Sequence, residues 1–335
     1  MKADDCSKTR PVVSVIVLSY NHAATVAQAL DSVLAMALQC PAVEIVVGDD
    51  GSTDGCYEIC ADYAARYPDM IRLMPRCPNM GVVENYFRCL RECRGEFVTD
   101  CAADDRRLPG QWLKKQIEML RTNSSLVAVG SDWVELRNGK EVCSDAMAHH
   151  AQWRQTVEGR TMLLDALGSA GSFPVPLTCM LYRRSAVDAS NPMVCNPRFG
   201  CEDLPLVCAL GAAGDFGFVP EPSLFYIVDS GSISNAGSPA RLLGFYYKAL
   251  VCRLTLAPYY HATAPRVRYS IDHGLRFVAG LAFDSGKREW IEKVKGLLRT
   301  YPYRVPLGVR LKMMCAGCRP LWRLFLGSGS REEMS

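Results

Sequence analysis

VEIVVGDDGSTD, residues 43–54, sets a short apolar, largely β-branched run directly against an acidic turn. A run of that length and composition reads as a buried strand of the kind found in parallel sheets. The Asp, Gly and Ser that close it are residues that turn a chain and cap a following helix. Upstream, VVSVIVLSY (12–20) has the same character, and Asn21 and His22 mark a turn. AATVAQALDSVLAM (23–36) then places Val26, Leu30, Val33 and Leu34 at helical spacing. Downstream, CYEICADYAARYP predicts a helix, IRLM (71–74) a short strand, NMGVVENYFRCLREC a turn and helix, and EFVTDCA (96–102) a further strand. Strand and helix thus alternate four times by residue 105. That pattern predicts an α/β domain with right-handed crossovers and polar loops along one sheet edge.

Ligands of such sheets sit beyond the carboxyl ends of the strands. The polar clusters fall there: Ser19 to His22, Asp49 to Asp54, and Asp104–Asp105. No G-x-G-x-x-G follows the first strand and no G-x-x-x-x-G-K-[ST] occurs, which argues against dinucleotide-binding and P-loop chemistry. At 335 residues, half of them apolar, the chain can bury a large core as one domain with an annex. A net charge of +3 is too small to argue for nucleic acid. The sixteen cysteines are scattered and the start is unlike a signal peptide, so they read as reduced thiols of a cytosolic protein. The C-x-x-C of Cys315 and Cys318 has no second pair nearby and reads as chance. No apolar run reaches the roughly 18 residues of a bilayer span.

After residue 105 the expected order is a helix from about Pro109, a strand at SLVAVGSDWVEL (125–136), and mainly helix over 140–170. TCMLYRRSAV reads as a strand, CEDLPLVCALGAAG as a helix opened by two acids, and GFVPEPSLFYIV as a strand. Beyond 240 the chain reads as helical and basic.

Three constellations could carry chemistry. Asp49 and Asp50 either cap a turn or accept hydrogen bonds from a base and a ribose, and the two readings are compatible. Asp104 and Asp105 repel each other unless a cation lies near. A divalent ion needs only one or two carboxylates when a phosphate supplies the other oxygens. The plain alternative is a capping pair. Glu202 and Asp203 suit the first turn of a helix through its dipole, and could equally aim a general base into a cleft.

Taken in order, SVIVLSYNHAATVAQALDSVL, VEIVVGDDGSTD, NMGVVENYFRCLRECRGEFV, ADD and FGCEDLPLVCALG resemble glycosyltransferase family 2, inverting enzymes of the GT-A fold. The resemblance covers roughly residues 11 to 235. It implies an α/β GT-A domain (11–105 for the nucleotide, 106–235 for the acceptor) after a polar tail (1–10), with a helical annex at 236–335. It also implies a nucleotide-sugar donor such as a UDP-sugar, Mn2+ or Mg2+, and in-line displacement at the anomeric carbon. Ser19, Tyr20 and Asn21 would flank the nucleoside, Asp49 and Asp50 read base and ribose, and Asn79, Gly81 and Asn85 complete the pocket. Ala103 and Asp104 would border the nucleotide, Asp104 and Asp105 the metal. Asp203 matches the catalytic base, with Glu202 beside it. The acceptor implied is a glycan or lipid-linked sugar, in surface-polysaccharide or lipopolysaccharide assembly, with transfer of a hexosyl or N-acetylhexosaminyl group.

Two departures stand out. The first acid of the family's D-x-D falls at Ala102, and the loop that usually reads aromatic-R-x-H has Tyr226, Ile227, Val228 and Asp229. Asp229 could supply the missing oxygen ligand, as could Asp100, two residues before Ala102 on the same strand face. The alternative is a chain that keeps the fold and binds a nucleotide or partner without turnover. A nucleotidyltransferase would want a Gly- and Arg-rich loop after the first strand, and SYNHAAT has neither. The basic, aromatic stretch 285–325, with Trp290, Leu297, Leu298 and Trp322, suits either a packed helix or contact with an anionic membrane face.

Overall fold

A computed structural model of the chain describes residues 11–40, 42–137, 140–143, 156–169, 175–228 and 239–301. Its first half is the alternation read from the sequence: β1 (Val13–Ser19), α1 (Val26–Ala37), β2 (Val43–Asp49), α2 (Cys56–Arg66), β3 (Ile71–Leu73), α3 (Val82–Glu92) and β4 (Phe97–Ala102). All seven residues of β2 are buried, as expected of a parallel strand covered on both faces. β1 pairs in parallel with β2 on one side and with β4 on the other, Ser19 facing Asp49 and Leu18 facing Ala102. The strands therefore end level with one another. That register, a consequence of their apolar runs being in step, brings three polar turns from distant parts of the chain to one edge.

The second half adds β5 (Arg106–Arg107), α4 (Trp112–Thr122), β6 (Leu126–Arg137), β7 (Lys140–Cys143), α5 (Gly159–Gly168), β8 (Leu181–Arg183), α6 (Asp203–Ala213) and β9 (Asp215–Val228). The described strands form one mixed sheet in the order β3-β2-β1-β4-β8-β6-β9-β5, with β7 paired to β6. Three helices follow: α7 (Pro239–Tyr259), α8 (Pro265–Ser285) and α9 (Arg288–Thr300). One hydrophobic cluster runs from Val13 in β1 to Leu297 in α9, so the annex shares the core of the sheet domain.

Several expectations change. Residues 140–143 are a strand, paired Val134 to Cys143 through Arg137 to Lys140, where the sequence suggested helix. KEVC is polar enough to lack strand alternation, and its partner strand supplies the order. The helix expected from Pro109 starts at Trp112, after Gly110 at φ 156. TCMLYRRSAV holds only a three-residue strand, between short 3-10 turns at Leu177–Cys179 and Arg184–Ala186.

In α9 the apolar side is used internally. Ile291, Val294 and Leu297 are buried, and Trp290 packs edge-on against Tyr247 with ring centroids 5.6 Å apart. Ile291, Val294 and Leu297 thus belong to the core, and Trp290 is half-buried against it. The rest of the stretch to 325, Cys315 and Cys318 lie outside the described residues. The described cysteines are free thiols. Among the described residues, no helix is long and apolar enough to cross a membrane.

Candidate functional site

The DDGSTD turn is built by its own acids. Asp49, buried, accepts from the Ser52 amide (2.9 Å) and from the hydroxyls of Ser19 (3.1 Å) and Ser52. Asp50, also buried, accepts from the amides of Met80 (2.8 Å) and Gly81 (2.9 Å), which ties the loop before α3 to the end of β2. Gly51 has φ +75, and a Cβ there would lie 2.7 Å from the Asn79 amide nitrogen, so turn and loop are in backbone contact. Asp54 accepts from the Ala23 amide (2.9 Å) and the Cys56 amide (3.0 Å), joining the turn after β1 to the start of α2.

Of the expected nucleotide-pocket residues, Tyr20 (47 % exposed), Asn21 and Asn79 are exposed. The Asn21 side-chain oxygen accepts from the Thr53 amide (2.9 Å). Gly81 begins α3 at φ 90. Asn85 is buried as a strut, donating to the Gly48 carbonyl (2.8 Å) and accepting from Arg88 (3.0 Å). Ala103 is buried too, its amide bound to the Leu18 carbonyl (3.0 Å).

The Asp104–Asp105 turn divides its labour. Asp104 is half-buried, whereas Asp105 is buried and accepts from the Ile227 amide at 2.9 Å. That bond, with the pairing of Arg106 to Phe225, seats the end of β9 against the acidic turn. Burial and the neighbouring Asp104 push the Asp105 carboxyl up to about 8. Asp229 lies outside the described residues.

Asp100, buried in β4, has an Oδ1 without a hydrogen-bond partner. Burial pushes it up to about 7; Arg107 opposes the shift and Asp203 adds to it. Glu202, just before α6, is pushed up to about 8 by burial and by Asp203. Asp203 is raised by burial and held back by the Leu204 amide, the Cys201 thiol and Arg253. By surface area both α6 acids are only half-buried, yet they are walled by enough protein that desolvation dominates. The Tyr226 hydroxyl, raised to about 12 chiefly by burial, also feels Asp105, Asp104 and Asp203. Asp104, Asp105 and Asp203 therefore all lie within electrostatic reach of one hydroxyl.

Sequence reading missed three residues or pairs near these acids. Arg107 is buried, donating to the Thr99 hydroxyl (2.8 Å) and the Asp100 carbonyl, its guanidinium 5.0 Å from the Trp112 ring. An Arg two residues beyond an acid pair was the available signal. Tyr86 and Tyr182 share a buried hydroxyl–hydroxyl bond of 2.9 Å within the field of Asp100, and the charge of Arg253 in α7 acts on Asp203. Contacts between residues that far apart in the chain leave no mark in a single sequence. Two surface depressions of about 360 and 390 Å3 flank α4, and no residue of the acidic edge lines either.

Among the described residues, no three His, Cys, Asp or Glu side chains are grouped so as to hold a metal ion. With Ala102 contributing no oxygen and Asp105 engaged with Ile227, Asp104 is the free carboxylate of the turn. Such a donor set fits a divalent cation shared with a diphosphate, not one held by the protein alone.

The model of the family described as glycosyl transferase family 2 matches residues 14–189, from β1 through β8. The chain belongs to glycosyl transferase family 2. An uncharacterized protein of Mycobacterium tuberculosis is 37% identical over 108 residues, 32% of this chain and 31% of that protein. The putative glycosyltransferase EpsE of Bacillus subtilis is 32% identical over 121 residues, 36% of this chain and 42% of that protein. The chain thus spans 31% to 42% of the length of these relatives. Among solved structures, residues 1–349 of S. aureus TarS in complex with UDP-GlcNAc superpose with a TM-score of 0.56 at 17% identity, over 91% of this chain and 87% of that one. The mannosyltransferase PcManGT of Pyrobaculum calidifontis, in complex with GDP-Man and Mn2+, gives 0.52 at 18% identity, over 94% and 88%. At such identities the likeness establishes the shared GT-A fold of this family 2 chain.

Proposed function

We propose that this family 2 chain is an inverting glycosyltransferase that moves a sugar from a nucleoside-diphosphate donor to an acceptor hydroxyl. The observation that supports the reading is that Asp104, Asp105 and Asp203 all act on the Tyr226 hydroxyl, beyond the level strand ends that carry Tyr20 and Asn21. Tyr20 offers an exposed ring to the base, and the turns that Asp49 and Asp50 hold shape the floor of the nucleotide pocket. Asp203 takes the proton from the acceptor hydroxyl as that oxygen attacks the anomeric carbon. The bond from that carbon to the diphosphate oxygen breaks on the opposite face, and the configuration inverts. A divalent cation, when bound with the diphosphate against Asp104, would offset charge on the leaving group.

A UDP-sugar donor is favoured by the complex of the similarly folded TarS with UDP-GlcNAc. A glycan or lipid-linked acceptor, hexosyl or N-acetylhexosaminyl transfer and a place in surface-polysaccharide assembly remain part of the proposal. The alanine at position 102, where the family's D-x-D has its first acid, favours a second reading, nucleotide binding without turnover.

A screen of nucleotide sugars with Mn2+ and Mg2+, repeated on Asp203→Asn, decides between them. The expected result is turnover of one donor that falls about 10²- to 10⁴-fold in the variant, with donor affinity unchanged. Turnover that survives Asp203→Asn removes the base assignment. Nucleotide binding with no turnover of any donor selects the second reading.

A further inference from the structure

The acidic turn leaves β4 and enters β5, yet these strands are not neighbours in the sheet: β4 lies between β1 and β8, and β5 lies at the far end beside β9. β8 pairs with β4 only at Phe97 and Val98, so among the described residues the edge of β4 from Thr99 onward has no strand partner on that side. One side chain fills the gap. Arg107 of β5 is buried, and its Nη2 donates to the Thr99 hydroxyl at 2.8 Å and to the Asp100 carbonyl. Its own amide donates to the Ser32 hydroxyl of α1 at 2.9 Å, and its guanidinium lies 5.0 Å from the Trp112 ring of α4. The base of the turn is thus closed by a staple from the strand after it to the strand before it.

The turn has two further anchors. The Ala103 amide donates to the Leu18 carbonyl at 3.0 Å, and the Asp105 carboxylate accepts from the Ile227 amide at 2.9 Å. Asp104 stands between them as the free carboxylate. For a purely structural tie, Arg107 is a costly choice. Its Nε and Nη1 are buried without a hydrogen-bond partner among the described residues, and donors left so destabilise the fold relative to an apolar side chain packed on Trp112. Local rules of this kind are broken where a site needs the group.

We propose that Arg107 is a positioning residue for the Asp104 carboxylate: by tying β5 to the open edge of β4, it sets where that carboxylate meets the divalent cation of the donor. The inference rests on Asp104 carrying that cation.

The test uses the full chain and reads binding, not turnover. Mn2+ affinity in the presence of UDP is measured by electron paramagnetic resonance, and UDP affinity without metal by calorimetry, at a temperature where circular dichroism shows each variant folded. Arg107→Gln, which removes the charge and cannot keep both bonds, should weaken Mn2+ binding about tenfold. Arg107→Lys, which keeps the charge and a donor, should recover most of that loss. Thr99→Val removes one of the two acceptors and should weaken Mn2+ binding about threefold. Metal-free UDP affinity should stay at the wild-type value in all three, because the Asp49 and Asp50 turns are held by bonds of their own. Asp104→Asn is the reference. Mn2+ affinity that falls in Asp104→Asn but not in Arg107→Gln overturns the proposal and leaves the cation assignment standing. Affinity unchanged in Asp104→Asn overturns the cation assignment, and the proposal with it. A metal-free UDP loss as large as the Mn2+ loss is general damage and also overturns the proposal. If Arg107→Gln does not fold, Thr99→Val decides alone: weakened Mn2+ binding supports the staple, and wild-type binding refutes it.

Discussion

Asp50→Ala tests whether the second acid of DDGSTD is a strut of the nucleotide pocket. Its carboxylate accepts two amides, from Met80 at 2.8 Å and Gly81 at 2.9 Å. A hydrogen bond to a charged group nets about 1.5–3 kcal/mol, so two would sum to about 3–6 kcal/mol if fully shielded. Met80 and Gly81 are half-exposed, and water can take over part of each bond. The expected loss is therefore about 2–3 kcal/mol. Asp50→Asn keeps one acceptor oxygen and should lose about half as much. Because Gly81 opens α3 and the Gly51 turn touches the Asn79 backbone, the damage should localise to residues 77–82. Urea unfolding followed by far-UV circular dichroism measures the loss, with an unchanged m-value as the control for two-state behaviour. Calorimetric titration with UDP should show weakened binding in the same order, Ala below Asn below wild type. A loss under about 0.5 kcal/mol for Asp50→Ala would mean that water replaces both bonds freely, and the strut reading would be wrong.

Other perturbations follow the same logic. Tyr86→Phe leaves the buried Tyr182 hydroxyl without its 2.9 Å partner and should cost about 1–3 kcal/mol, while the double Phe variant recovers much of that; a double-mutant cycle by denaturation checks it. Buried Glu44 is raised by burial but held below its ordinary 4.5 by the Ser14 hydroxyl and by Arg94, so its folded-state value is depressed. Its contribution is present above pH 4.5 and is lost as the pH falls through the depressed value, so Glu44→Gln should flatten the acid side of the stability profile seen by wild type. Asp100 is the opposite case, raised from 3.8 to about 7 by burial: the folded state holds its proton longer, so wild-type stability declines as pH rises from 4 towards 8. Asp100→Asn should therefore be more stable relative to wild type at pH 8 than at pH 5, measured by thermal unfolding at both.

Strand and helix order through β4, and the pooling of polar turns at one edge, were legible because apolar periodicity is a local property and parallel strands share one direction. The job of each acid was not. Asp49, Asp50 and Asn85 have the spacing of ligand-reading residues, and the fold also gives them internal partners in Ser19, Ser52, Met80, Gly81 and Gly48. A turn that must bind its own backbone and one that binds a nucleotide use the same residue types. The 140–143 strand was read as helix because its four residues carry no alternation of their own and take their order from β6.

The chain by itself determined the α/β alternation, the family motifs, and the placing of Asp104 and Asp203 at a strand end and a helix start. Tertiary structure alone decided that Asp105 would spend an oxygen on Ile227, 122 residues away, that Tyr86 would meet Tyr182, and that Lys248 of the annex would lie against Gly200 before α6. The physical reason is reach. Propensity and periodicity act within a few residues, whereas charge, burial and unpaired polar atoms are settled only when distant segments share one low-dielectric space.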